Sequence, residues 1–389
     1  MLYLHVPYCV VLCPFCSFHR VRFRSDGASR YFDCLRREIE LVGDAGYGFA
    51  ELYVGGGTPT VLPAKLAEAI EFVRRRHDLG SISVETNPDD LEKDSVRRLK
   101  DSGVTRLSVG VQSFDDRLLS QMQRLGKFGS GAQITERLKR ARGVFDTLNV
   151  DMIFNFPCQD TASLKRDLSL LTDEIGVDQV SWYPLMMAAS TVRPMRQHMG
   201  GQADRSRERR FYRLIVEHML AAGYLRNSAW CFSRRPGMFD EYIVEQDEYV
   251  GLGSGSFSYV QGQLFASTFS INHYRRLVEA GHTGVVQRRP MSERDQMHYY
   301  VLMKLFSGCL DLDVAERKFE GRFRHRLWPE VSALRLAGAA RLDGRKLRLT
   351  ERGYYLWVVM MREFFSGVSD LRDAMRHHIS DERAVLQHE

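Results

Sequence analysis

No run of apolar residues in this 389-residue sequence reaches the roughly 18 positions needed to cross a bilayer, and no basic stretch followed by a cleavable apolar one opens it. The expectation is a cytoplasmic protein. A dominant charge is also missing: 55 Lys and Arg stand against 49 Asp and Glu, a net of +6. That small excess suits an anionic ligand, but no contiguous basic arm or aromatic-basic module accompanies it, so nucleic acid is not an expected partner. Internal repeats, low-complexity tracts and the G-x-G-x-x-G fingerprint of dinucleotide binding are all absent. What remains is a globular composition, 44% hydrophobic, long enough for one large domain and one or two smaller ones.

Cysteine is scarce, and its distribution is therefore informative. Of seven, Cys34, Cys158, Cys231 and Cys309 are scattered, whereas Cys9, Cys13 and Cys16 form a C-x3-C-x2-C triplet in YLHVPYCVVLCPFCSFHR. Three close thiolates can hold three irons of a cubic iron-sulfur cluster, where a fully protein-held cluster takes four. The fourth iron is then open to a small molecule and can pass it an electron. The alternatives are a zinc site, with His5 and His19 nearby, or unrelated thiols. Zinc prefers four ligands and shorter C-x2-C pairs, and an odd count with no secretory leader argues against a disulfide framework.

Short β-rich runs alternate with longer amphipathic ones. LYLHV, ELYVGG, SISVET, RLSVGV, LNVDMIFNF and DQVSWYPL are separated by helix-length segments, the pattern of repeated βαβ units around a parallel sheet. Six strands predict an α/β fold, a partial (β/α)6 barrel of TIM type, with ligands at the carboxyl ends of the strands. The cysteine loop follows the first strand, as that rule requires. From Arg193 the sequence turns charged and helical, with Gly223 as the expected C-cap of DRSRERRFYRLIVEHMLAAGY. The final hundred residues read as three helices, a hairpin turning at Asp343-Gly344, and a last helix, a winged-helix-like module. Packing or a lid is favoured for it over DNA binding. The expected organisation is a barrel over 1–192, a capping extension with a Gly/aromatic loop over 193–289, and the helical module over 290–389.

Gly55, Gly56 and Gly57 follow a strand and precede Thr58-Pro59, so the backbone can approach a ligand there and offer its amides to a carboxylate or amine. Glu85, Gln112, Ser113 and Asp151 are polar positions in or at the ends of apolar strands, and such groups must find partners. Successive strand ends favour a common site over separate structural bonds. Tyr183 and Met186 are candidates to line its opening. The run QDEYVGLGSGSFSYVQG fits either a loop over a flat substrate or a turn-rich connection.

The cysteine loop resembles that of radical S-adenosylmethionine (SAM) enzymes, and YLHVPYC, YVGGGTPT, RLSVGVQSFDD and DMIFNFP together resemble the oxygen-independent coproporphyrinogen III oxidase-like branch. The resemblance implies a 4Fe-4S cluster held by Cys9, Cys13 and Cys16, whose open iron chelates SAM and whose reduction cleaves it to a 5′-deoxyadenosyl radical, and a donor such as flavodoxin or ferredoxin. It further implies Phe15 near the adenine and the Gly56, Gly57 and Thr58 loop at the SAM amino group. Glu85, Gln112 and Asp151 would lie at its carboxylate or ribose, Arg124 at its carboxylate although the usual G-R-x-H pattern is broken, and Tyr3 against the cofactor site.

Three reactions are compatible with this branch. Coproporphyrinogen oxidases carry a cysteine two places beyond the triplet, where this chain has Phe18, and an N-terminal extension. Methylating relatives lack that cysteine and use one SAM for the radical and a second as methyl donor. The run YVGLGSGSFSYVQGQLFASTFS resembles quinone-ring methyltransferases, so C-methylation of an aromatic or quinone ring is preferred, with transient membrane-surface contact for a quinone. Haem chaperones carry H-N-x-x-Y-W before the late glycines, where this chain has Ser233-Arg234-Arg235-Pro236 and Asp240-Glu241-Tyr242.

Overall fold

The computed structural model describes residues 1–201, 203–238 and 246–377; Asp240, Glu241 and Tyr242 lie outside the described residues. Six parallel strands lie side by side in chain order: β1 (Leu2–Val6), β2 (Glu51–Gly56), β3 (Ser81–Thr86), β4 (Arg106–Gln112), β5 (Thr147–Phe154) and β6 (Gln179–Pro184). These are the six runs expected from the sequence, in the partial-barrel arrangement. Each strand has two different faces. Leu4, Val54, Val84, Leu107, Val109, Leu148, Val150, Val180 and Trp182 are all fully buried and pack against the covering helices. The alternate positions carry Tyr3, His5, Tyr53, Ser83, Glu85, Arg106, Ser108, Asn149, Asp151, Gln179 and Ser181, and turn into the barrel.

The sheet is wider than six strands. Val250–Leu252 adds in parallel beside β1, and Cys231–Ser233 with Leu225–Arg226 adds antiparallel strands beyond β6. Residues on both sides of position 192 therefore share one sheet. The glycine-rich run expected to cap the barrel is built into its edge: the Val250 N–H donates to the Met1 carbonyl, and a Cβ on Gly251 would lie 2.0 Å from the Phe257 carbonyl oxygen. Short length and glycine hide this strand from any periodicity argument. The helix Arg205–Ala221 ends as expected, with Gly223 at φ 81°.

The C-terminal module runs helix Glu293–Phe306, strand Cys309–Asp311, helices Leu312–Lys318 and Phe323–Leu336, hairpin strands Ala340–Asp343 and Lys346–Leu349, and helix Glu351–His377. Strand Cys309–Asp311 completes a three-stranded sheet with the hairpin, a strand not foreseen. Among the described residues no helix is long and apolar enough to cross a membrane. The last helix returns to the barrel. Arg362 pairs with the buried Glu208, Ser369 bonds Ser17 at 3.0 Å, and Asp370 and Asp373 accept the backbone N–H groups of Ala189 and Ser190 at 2.9 and 3.1 Å. Those two amides open the helix Ala189–Met199, whose N-cap residue Ala188 has no side-chain acceptor. The last helix supplies the missing cap from 181 residues away in the chain.

Replacing both Asp370 and Asp373 by Ala removes that cap and should cost about 1–2 kcal/mol, read as a lower urea midpoint, with faster proteolytic cleavage within Glu351–His377. An unchanged midpoint and cleavage rate would show that the contact carries no stability.

Candidate functional site

The cysteine loop leaves the top of β1 and is closed on itself. Tyr8 and Cys9 pair in parallel with Val21 and Arg22, and the N–H groups of Val21 and Phe23 donate to the Pro7 and Cys9 carbonyls at 2.7 and 2.8 Å. A second tie runs beneath it. His5 Nε2 lies 3.0 Å from the His19 carbonyl, which can only accept, so Nε2 carries the proton and Nδ1 accepts from the Tyr3 hydroxyl at 2.9 Å. Burial lowers the His5 pKa to about 4, so the ring is neutral in this role. Tyr3, expected at the cofactor, is thus placed in the lumen with its hydroxyl on His5. Sequence reasoning noted His5 and His19 only as metal candidates; in the structure they stack at 5.7 Å, and His19 continues the chain to Ser254 at 3.2 Å.

The three glycines are required for more than ligand access. A Cβ on Gly55 would meet the Glu85 carboxylate at 2.7 Å, one on Gly56 (φ 118°) the His5 ring at 2.7 Å, and one on Gly57 the Tyr8 carbonyl at 2.7 Å and Cys9 Sγ at 3.0 Å. The amides expected to bind a ligand are already engaged. Gly56 N–H donates to Glu85 Oε2 at 3.0 Å, Gly57 N–H to the Val6 carbonyl and Thr58 N–H to the Tyr8 carbonyl. What the loop can offer is carbonyl oxygen, which suits an ammonium group.

Glu85 also accepts from the Tyr53 hydroxyl at 2.9 Å. Burial, with the Asp151 carboxylate adding to it, pushes its pKa up to about 7, against the opposing Gly56 and Tyr53 donors and Arg106. Asp151 accepts from Ser108 at 2.7 Å and Asn149 at 2.8 Å, and Arg106 reaches Gln179 and Ser83 at 3.0 Å. This lumen network was not singled out in the sequence, although every member occupies the same alternate position as Glu85 and Asp151. Gln112 sits at a register shift with φ 73°, its amide folded against Gly110. Ser113 turns away from the lumen and donates to the buried Asp167 at 2.8 Å, so it is a structural bond rather than part of the site. Tyr183 packs against Trp230 at 5.3 Å, and Met186 lies half-buried against the core.

Around the thiols, donors and cations converge. Thr58 Oγ1 lies 3.7 Å from Cys9 Sγ and accepts from Asn87 at 2.8 Å. Arg124, stacked on Phe128 at 4.1 Å, donates to Cys13 Sγ at 3.5 Å, to Asn87 Oδ1 at 2.9 Å and to the Gly110 carbonyl. Its buried Nε has no protein partner. Arg20 donates to the Cys13 carbonyl at 2.7 Å. Neither Asn87 nor Arg20 was foreseen. Phe15 is buried edge-on against Phe156 at 5.6 Å. Beside the loop opens a cleft of about 360 Å³ lined by Cys13, Cys16, Phe18, Arg20, His198 and Arg376.

These residues fit a cluster with an open iron. Burial pushes the Cys9 thiol up to about 12 without metal, a state that coordination reverses by taking the thiolate. Hydrogen-bond donors to sulfur are what such clusters use. Among the described residues no three His, Cys, Asp or Glu side chains converge as a single-ion site demands; a cubane asks instead that each thiolate end on its own iron. All seven cysteines are free thiols. Arg124, with an unpartnered Nε, and the carbonyl-lined glycine loop beside Glu85 suit the carboxylate and ammonium ends of an amino acid such as SAM.

Gly57→Ala should abolish the visible absorbance of the cluster after anaerobic reconstitution, whereas Gly43→Ala, with no atom within 4 Å of the added Cβ, should not; a fully loaded Gly57→Ala protein would refute the packing argument. Glu85 also makes stability depend on pH. Because its folded pKa is raised, its contribution is fully present below about 4.5 and is lost as pH rises through about 7, amounting to about 3 kcal/mol. Melting temperatures of the metal-free protein should fall between pH 5 and 8, and Glu85→Gln should flatten that fall; an equal slope in both proteins would remove Glu85 as its cause.

Comparison with known proteins agrees with this geometry. The model of the Radical SAM superfamily matches residues 3–171. Heme chaperone HemW of Lactococcus lactis is 27% identical over 368 residues, covering 91% of this chain and 94% of that protein. HemW of Mycobacterium tuberculosis is 31% identical over 276 residues, 66% of this chain and 69% of that protein. The structure of coproporphyrinogen III oxidase (HemN) from Escherichia coli superposes with a TM-score of 0.77 at 21% identity over 94% of this chain and 90% of that one, which is a likeness of fold. With a matching superfamily model, a relative above 30% identity and the cluster loop in place, this chain belongs to the radical SAM proteins of the HemN/HemW, oxygen-independent coproporphyrinogen III oxidase-like family.

Proposed function

We propose that the protein is a radical SAM enzyme acting on a haem-related tetrapyrrole that carries carboxylate side chains. When bound, the cluster and SAM supply one-electron chemistry ending in a 5′-deoxyadenosyl radical. The chain's own residues hold and orient. Cys9, Cys13 and Cys16 take the irons; Gly56, Gly57, Thr58 and Glu85 receive the ammonium end of SAM, Arg124 its carboxylate, Gln112 and Asp151 its ribose side, with Phe15 and Tyr3 closing the walls. Glu85 takes an ammonium better as a carboxylate, so cofactor binding opposes the burial that keeps its proton on.

The observation that carries the substrate reading is the cleft. It meets the cluster loop at Cys13 and Cys16, offers the half-exposed Phe18 ring as an apolar face, and is flanked by Arg20 and Arg376. A flat ring bearing carboxylates matches that combination of apolar wall and fixed cation. The relatives named above are a haem chaperone and a coproporphyrinogen oxidase, which moves the preference from quinone methylation to a tetrapyrrole. The late run 249–270, which had favoured the quinone reading, forms the sheet edge and a neighbouring hairpin.

A second reading, haem binding without turnover, has one observation of its own. His198 lines the same cleft, with Gln123 Nε2 3.3 Å from its Nδ1, and a histidine there is a candidate axial ligand that sequence reasoning did not place.

The test is mass analysis after anaerobic incubation of dithionite-reduced protein with methyl-labelled SAM and either coproporphyrinogen III or haem. Cys13-dependent conversion of the tetrapyrrole supports the proposal, with carbon dioxide release marking decarboxylation and label in the ring marking methylation. Stoichiometric haem binding lost in His198→Ala, with no product, favours the second reading. No tetrapyrrole conversion or binding, with label entering a quinone supplied in a parallel incubation, overturns both.

A further inference from the structure

Arg20 is a charged residue of this site that neither the sequence motifs nor the comparisons assign, and its surroundings are unusual for an arginine. Its backbone is pinned on both sides. The preceding residue, His19, gives its carbonyl to His5, and the following residue, Val21, gives its N–H to Pro7. The guanidinium is then fixed at its far end by donation to the Cys13 carbonyl at 2.7 Å, and it lines the same cleft as Cys13 and Cys16. Its Nε is buried without a partner.

We propose that Arg20 is an electrostatic positioning residue that sets the reduction potential of the cluster, its fixed positive charge favouring the reduced state. The physical basis is charge balance. Accepting one electron adds one negative charge to the cluster, and a cation held against a ligand residue stabilises the product of that step more than the reactant. A long flexible arginine at the surface would be screened and would do little. Arg20 is half-buried and tethered at its guanidinium, so its charge is held at short range in a fixed place. Arg124 reaches only one thiol, at 3.5 Å, and is engaged by Asn87 and the Gly110 carbonyl. Arg20 is the cation whose side-chain bond goes to the ligand loop alone. The inference rests on the cluster and not on the choice of substrate.

The experiment is a mediated redox titration, followed by electron paramagnetic resonance, on anaerobically reconstituted protein without SAM or substrate. Iron and sulfide contents are measured in parallel. Three variants separate charge from geometry: Arg20→Met removes both charge and donor, Arg20→Gln keeps a donor without charge, and Arg20→Lys keeps the charge with poorer fork geometry. Expected is a midpoint more negative than that of the unaltered protein for Arg20→Met and Arg20→Gln, by similar amounts, with Arg20→Lys in between. A fully loaded Arg20→Met protein with an unshifted midpoint overturns the proposal. If Arg20→Met does not retain iron, the Arg20→Gln and Arg20→Lys pair decides: a more negative Gln midpoint sustains the proposal and equal midpoints refute it. Because no tetrapyrrole is present, failure here leaves the substrate reading standing, and failure of that reading leaves this one intact.

Discussion

The strict alternation along six parallel strands is the constraint from which the site follows. Helices cover the outer face of the sheet, so every second residue must be aliphatic, and Val54, Val84, Val109, Val150 and Val180 meet that demand at zero exposure. The intervening positions are then committed to the lumen as a class. A polar side chain there cannot reach bulk water and must be satisfied by other lumen residues or by a ligand. Arg106 with Gln179 and Ser83, and Asn149 with Ser108 and Asp151, close the lower part of the lumen among themselves. Glu85 is the member left in tension. Its carboxylate has two donors but also burial and Asp151 against its charge, and it lies directly under the glycine loop at the strand tops. A buried acid held near neutrality is a receptor for a cation, and the barrel places it where an ammonium group would arrive.

The cluster loop is the second element whose position is dictated from below. Chain closure between Pro7 and Phe23 confines the triplet to a short arch, and the His5 ring, neutral and with a fixed tautomer, anchors the far limb of that arch to the floor of the barrel. Gly56 and Gly255 exist as glycines because histidine rings occupy the space a Cβ would need, His5 against one and His19 against the other. The loop thus depends on two glycines 199 residues apart. Of the two readings the late glycine run allows in the sequence, a loop over substrate or a turn-rich connection, the structure shows the second, a buttress behind the cluster loop.

What could be read in the sequence was whatever a local period or spacing encodes. Six strands, the cysteine triplet, the strand-glycine-Thr58 connection and the polar positions Glu85 and Asp151 all declare themselves within a dozen residues. The winged arrangement was legible for the same reason, since Asp343-Gly344 marks its hairpin and each helix carries its own amphipathic pattern. What was not legible lies in contacts between distant segments. Ser113 shares the outward parity of Leu107 and Val109, and its partner Asp167 lies 54 residues away, where no local pattern names it. Nor does any pattern announce that the amides of Gly56, Gly57 and Thr58 are engaged by Glu85, Val6 and Tyr8. The capping of Ala189 and Ser190 by Asp370 and Asp373 is a tertiary fact alone.

The two sides of the cluster loop differ in charge, and that difference organises the chemistry. Cys9 faces Thr58 and the glycine backbone, a neutral and desolvated side. Cys13 and Cys16 face Arg20 and Arg124, and the same side opens into the cleft bordered by Arg376. Both anionic demands of the reaction, a cofactor carboxylate and a carboxylate-bearing substrate, therefore fall on one side, while the cationic end of the cofactor falls on the other, toward Glu85. A small net charge over the whole chain conceals this separation, which is local to the loop. Holding one buried and one half-buried guanidinium beside three thiols would be costly in a protein that never ionised those thiols. The arrangement is favourable only when the sulfurs are thiolates, so the placement of Arg20 and Arg124 is itself a physical argument that this loop is built for its metal-bound state.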